Sequence, residues 1–469
     1  MSRAHGIRHY VILLIILLLA VSGGFAYGFL SSKTRTGPYR TANRVFEWAR
    51  HQPAVRRLYV LLAGRPEDPV DEIKGSWSPI ADDQPAGETD ARPGPDGEDF
   101  QSVGYLSGYE PAPVKKGVTV HVPDIAYEGL NLITSGHGQE AYLIDMKGKV
   151  LHRWAYRFAD AFPAYADVQS EDPDDPFERY FWHRCYLYGN GDLLAIYQNF
   201  GLIKLDKNSN LIWAVANGCH HDIDVISDSL IYVITHKVRE SPDLGNHGKV
   251  SDDFLTVLDR DGTELRRVSV LEAIRNSVYT ASLRRAHQAV DILHTNTVQV
   301  FDGTFAHRSP VFRKGNILTS MRNMDVVAIV DMVKEKVVWA LTGLWGSQHM
   351  PTLLANGNML VFDNQGMGNL SRVIELDPFT QEIVWAYEGT QENGFYSGAL
   401  GAAYRLPNGN TLIVESIGGR AFEVTPEKRI VWEYYNPHRA GDNDELIATL
   451  LDVVRLGPEF PTEWLVNEP

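Results

Sequence analysis

From about residue 115 onward, apolar positions fall into short runs separated by polar turns, with no sustained helical period. The clearest case is the stretch 345–366, WGSQHMPTLLANGNMLVFDNQG. Asn356-Gly357 sits between two apolar runs, a strong short-range hairpin signal. The stretch predicts two antiparallel strands, with His349 at the open start of the first.

The same grammar recurs along the chain. A strand, an Asn-Gly-type turn and a second strand are followed by a third strand ending in Asp, a turn, and a fourth strand carrying Trp. Third and fourth strands of this kind read at 143–154, 202–215, 255–270, 327–341, 373–387 and 421–434. Trp339, Trp385 and Trp432 recur at a period of about 46 residues. Four strands per repeat at this period predict a propeller blade, and six copies predict an all-β, six-bladed β-propeller over 115–469. The tail, 452–465, is a candidate closing strand. The tryptophans are expected to pack between blades.

The pattern before residue 115 is different. Residues 1–9 are polar and carry Arg3 and Arg8, a cytoplasmic start. Residues 10–30 are apolar and uncharged, long enough to cross a bilayer as a transmembrane helix. A basic start before an apolar core also describes a secretory signal. The 24–26 end makes a poor cleavage site, which favours an uncleaved single-pass anchor. Either reading places the propeller in the periplasm or outside the cell, against the basic residues Lys33, Arg35, Arg40 and Arg44 that follow. Residues 31–114 form a juxtamembrane segment, helical in look over 42–63. A disordered acidic linker follows over 66–112, too poor in apolar residues to fold alone. A second acidic stretch, 169–178, reads as a surface loop.

Charge narrows the partners. The net charge of −15 gives no basic surface for nucleic acid. It also makes each His or Arg aimed at a substrate informative. The two cysteines, Cys185 and Cys219, are too few for a disulfide framework. They read as small buried residues that pair only if they meet in an oxidising compartment.

Candidate chemistry emerges when the repeats are aligned on their turns. Counting back from Asn356, Asn408, Asn190 and Ser227 gives His349, Gly401, His183 and His220 at one register. In a propeller such a register forms a ring around the axis. His220 lies in His220-His221-Asp222, where strand alternation lets only one histidine face the channel and assigns His221 and Asp222 to the wall. Another repeat carries His294 and Asn296, two apart and so expected on one face. Arg322 follows at a strand end. Histidines converging with an arginine suit either a metal site or nucleophilic and electrostatic chemistry on an anionic group. The arginine favours the second, since a cation repels a metal.

These residues resemble the bacterial arylsulfotransferases. The resemblance covers roughly 115–440 and rests on HHD (220–222), DILHTN (291–296), SMRN (320–323) and SQHMPTLLANGNMLVFDNQG (347–366). It implies a six-bladed periplasmic propeller that moves a sulfuryl group from an aryl sulfate donor to a phenolic acceptor. The nucleotide donor PAPS is not used, and no cofactor or metal is implied. His349 resembles the nucleophile that becomes a transient sulfohistidine. His220, His294 and Arg322 match residues that hold the sulfuryl oxygens and assist proton transfer, and Asn296 matches a nearby polar position. His183, a ring member outside these motifs, is a substrate-binding candidate by register alone. The chain departs from the family in its anchor, its acidic linker and the lack of a closely spaced cysteine pair. Two other readings fit the repeats: a non-catalytic periplasmic scaffold propeller, and a metal-dependent hydrolase built on the histidine ring.

Overall fold

The computed structural model describes residues 110–165, 181–227, 229–244, 248–285, 290–368, 370–390, 392–441 and 443–465. The expected cytoplasmic start, anchor, helical segment and most of the linker lie outside these residues, as does the loop at 169–178. No helix among the described residues is long and apolar enough to cross a membrane.

The described chain is mostly β. Six sheets of four or five antiparallel strands each resemble a propeller blade. The second sheet is typical, with strands Cys185–Leu187, Leu193–Tyr197, Gly201–Leu205 and Leu211–Val215 in spatial order. The third to fifth sheets start at Cys219–Ser227, Thr295–Val300 and His349–Leu353 and run outward in the same way. The predicted hairpin is present, with His349 opposite Phe362 and Leu353 opposite Met359. Its turn needs Gly357 at φ +81°, where a Cβ would meet the Arg308 side chain.

The first sheet is built from both ends of the domain. Leu130–Ser135, Glu140–Ile144 and Val150–Ala155 supply three strands, and the C-terminal Leu450–Leu456 supplies the innermost. The tail therefore does contribute a closing strand. At the other end, Gly117–His121 adds a fifth, outermost strand to the sixth sheet by pairing with Ile430–Tyr435. His121 is thus far from the inner strands of its sheet. The linker also ends sooner than its composition suggested. Glu110–Pro111 pairs with Leu446–Ile447 in a separate small sheet, because the backbone there finds a strand edge despite its polar side chains.

Two recurring residues explain the repeat grammar. The Asp that ends a third strand folds the next turn. Asp145 Oδ1 accepts the N–H groups of Lys147 and Lys149, and Asp206 and Asp259 do the same two and four residues on. The fourth-strand Trp ties sheet to sheet. Trp213, Trp385 and Trp432 donate their indole N–H to Arg260 O, Pro426 O and Met146 O, each in the third-to-fourth-strand turn of the next sheet. Sheets packed on both faces need middle strands that are apolar throughout, and every residue of Val326–Asp331 and Leu193–Tyr197 is buried.

Candidate active site

The site residues cluster where the inner strands begin. His349 opens the strand His349–Leu353, and His220 is the second residue of Cys219–Ser227. His183 lies just before Cys185–Leu187, its N–H bonded to Ile196 O. Gly401 occupies the corresponding place before Ala402–Arg405. It holds φ +107°, and a Cβ there would enter the Phe362 ring, so no histidine fits in that sheet.

His349 is buried, and its Nδ1 faces two carbonyl-type oxygens, Asn364 Oδ1 at 2.7 Å and Ser347 O at 3.0 Å. The Asn364 amide is itself oriented, because its Nδ2 donates to Ser397 O and Leu400 O. Both acceptors require a proton on Nδ1. Nε2 therefore carries the lone pair. Burial, then the charge of Arg322, pushes the imidazole down to about 3, so it is neutral near pH 7.

Around it stand four more histidines. The His221 ring contacts those of His183, His220 and His294, with centroids 5.0, 4.9 and 4.7 Å away. His220 Nδ1 and His221 Nδ1 are 2.7 Å apart, and His220 Nε2 lies 3.5 Å from Asp253. His294 Nδ1 meets Asp291 Oδ2 at 2.5 Å. Burial and neighbouring positive charge hold His183 and His221 well below the usual imidazole range. Arg322 begins the short turn Arg322–Met324, its N–H bonded to His294 O and its Nη1 to Asn323 Oδ1. Asn296 Nδ2 donates to Gln348 O, the carbonyl directly before His349.

Strand alternation fails as a guide here. The ladder breaks between His220 and Ile223, between Thr295 and Val298, and between His349 and Thr352. His221, His294 and Met350 hold left-handed backbone at φ 59°, 50° and 49°. A bulge re-aims side chains, so His220 and His221 both enter the cluster and His221 is not confined to the wall. For the same reason His294 and Asn296 do not act as simple same-face neighbours. His294 sits before the strand and is partly exposed, while Asn296 is buried. Asp222 does serve the wall, its Oδ2 accepting Val298 N–H from the next sheet.

Sequence reading missed Arg184. Its Nη1 donates to Tyr404 OH and Asp452 Oδ2, its Nη2 to Met350 Sδ and its Nε to His221 O, with Asp222 at 3.6 Å. One largely buried side chain from the second sheet therefore touches residues at the inner strands of four others, so it lies where they converge. The available signal was an arginine next to the ring register at His183 and an aspartate in the closing strand. Asn364 was missed too, although it lies in the polar end of the opening hairpin. Cys185 and Cys219 are buried free thiols.

Comparison with known proteins places these features. No curated protein matches the chain at a significant level. Among solved structures, a protein of unknown function from Bacteroides caccae is 11% identical, covering 70% of this chain and 98% of its own, with a TM-score of 0.45. A streptogramin B lyase structure is 12% identical, covering 74% of this chain and 96% of its own, with a TM-score of 0.40. The fold assignment rests on the strand order above, not on these likenesses. Residues 187–437, more than half of the chain, match the family described as Arylsulfotransferase (ASST), a span that contains His220, His294, Arg322, His349 and Asn364, and the chain belongs to that family.

Proposed function

We propose that this protein is an aryl sulfotransferase on a six-bladed propeller, moving a sulfuryl group from an aryl sulfate to a phenol through His349. The observation that carries the reading is the state of His349: neutral, with Nδ1 tied to Asn364, Nε2 bearing the lone pair, and the Arg322 charge near enough to lower its proton affinity. In the first step Nε2 forms a bond to sulfur as the sulfur–oxygen bond to the aryl group breaks. The aryloxide leaves with that electron pair and takes a proton from His220 or His294. The sulfated ring is an imidazolium, and the carbonyl oxygens at Nδ1–H stabilise its positive charge. In the second step a phenol gives its proton to the same acid–base pair. Its oxygen attacks sulfur, the nitrogen–sulfur bond breaks, and neutral His349 returns.

Arg322 supports the choice of an anionic substrate, since it offers charge-assisted hydrogen bonds to sulfuryl oxygens. Asn296 holds the backbone before His349, and His183 completes the buried wall. The test is incubation with 4-nitrophenyl sulfate and a series of phenols, comparing the wild type with His349→Ala. Transfer by the wild type that is lost in the variant is expected. Full activity in His349→Ala would sink the assignment, as would a wild type inert with every acceptor.

An N-terminal anchor with the catalytic domain outside the cytoplasm stays part of this proposal and rests on residues 10–30 alone. Alkaline carbonate extraction of membranes checks it: release of the full chain into the supernatant would exclude an anchor.

A further inference from the structure

A second group of ligand-bearing side chains lies apart from the histidine cluster. His137 and Glu140 flank the turn between Leu130–Ser135 and Glu140–Ile144 in the first sheet. His438 follows Ile430–Tyr435 of the sixth sheet. The chain brings these distant segments together where its first and last sheets adjoin. One ligand atom from each of the three lies within 4.8 Å of the others. Glu140 and His438 are buried, and the His137 side chain is nearly so.

The backbone at both sites is pinned. Gly136 N–H donates to Thr449 O, Ala448 N–H donates to His438 O, and Asn436 Nδ2 donates to Ser135 Oγ and Ala448 O. The His137 and His438 rings stack face to face with centroids 3.3 Å apart, and Glu140 Oε1 is 2.5 Å from His137 Nε2. Arg153 and Tyr142 hydrogen-bond the Glu140 carboxylate. Outer partners of this kind orient a ligating carboxylate. Two imidazoles and one carboxylate are the donor set of divalent zinc-class ions, whose fourth ligand in such centres is a water. In a tetrahedral centre with bonds of about 2.0–2.1 Å, ligand atoms are roughly 3.4 Å apart, so the three must draw together and the stacked rings must turn out of parallel to meet one ion.

We propose that His137, Glu140 and His438 bind a divalent transition-metal ion that staples the first sheet to the segment leaving the sixth. The site shares no residue with the sulfuryl-transfer machinery, and its test does not depend on activity. The full chain, stripped with a chelator and dialysed, is titrated with Zn²⁺ and Co²⁺. One equivalent bound, a rise in melting temperature and visible Co²⁺ bands of a four-coordinate nitrogen–oxygen site are expected. His438→Ala, with an unchanged circular dichroism spectrum, should lose the bands. Glu140→Gln should bind at least about tenfold more weakly. His349→Ala should bind as the wild type does. No stoichiometric metal on the wild type would overturn the proposal, as would binding that survives His137→Ala/His438→Ala or is lost in His349→Ala. If the histidine variants do not fold, the Co²⁺ spectrum of the wild type decides: bands without histidine-nitrogen ligation overturn the site.

Discussion

The Oδ1 of Asn364 accepts from His349 Nδ1 and so leaves on Nε2 the lone pair that the proposed mechanism uses. Asn364→Ala removes that acceptor without touching substrate. The Nδ1 bond to Ser347 O remains, while Ser397 O and Leu400 O lose their Nδ2 donor, so some stability is lost and kcat falls in the protein that is folded. A lost hydrogen bond of about 1–3 kcal/mol corresponds to roughly fivefold to 150-fold in rate. Steady-state kinetics check this, and a rise in KM with kcat unchanged would assign Asn364 to substrate binding instead. The pH profile is a second residue-scale test. His349 is held at about 3 against an ordinary 6.5, so it stays neutral in the folded protein across the interval between them. The acid limb of kcat/KM should therefore fall well below pH 6.5, and a limb centred near 6.5 would contradict the buried, neutral nucleophile. Stability follows the matching sign. An unfolded His349 takes a proton as pH drops through 6.5 while the folded one does not, so its contribution is complete above 6.5 and is lost towards 3. His183 and His221 act in the same direction. Asp222, which burial raises to about 6, opposes them because the folded state keeps its proton longer.

At the scale of elements, the hairpin around Asn356-Gly357, the six strand-turn-strand repeats and the closing strand were legible because each rests on local rules. Asn-Gly demands a turn, Asp accepts the N–H groups two and four residues on, and apolar runs mark strands buried on both faces. The inner-strand register that aligned His349, His220 and His183 was legible for the same reason: it counts residues from a turn. What the pattern hid was the direction of side chains. A ladder break after His220 and left-handed backbone at His221 place two neighbouring histidines in one cluster, where alternation allows one. Such strained backbone is held by surrounding packing, and no local period announces it. The metal-type triad was hidden differently, since its members come from distant segments and meet only through the fold.

On the scale of the molecule, Arg184 is the residue on which the ring depends. Its guanidinium serves Asp452 of the closing strand, Tyr404 of the sixth sheet, Met350 of the fifth and the His221–Asp222 stretch of the third. Arg184→Met keeps much of the volume and removes the charge, leaving two buried carboxylates uncompensated. The expected loss is about 3–5 kcal/mol, read by chemical denaturation of the wild type and variant side by side. A change under about 1 kcal/mol would mean that the sheets hold their ring without it.

The closing strand Leu450–Leu456 also sets an order of events. A ribosome makes the three outer strands of the first sheet before the other five sheets and their inner partner after them. Five sheets can gather as the chain emerges, but the first stays one strand short, and Asp452 cannot reach Arg184, until Leu450–Leu456 has left the ribosome. A ribosome stalled before Leu450 would hold a chain with an open sheet edge, available to a chaperone and without its central ion pair.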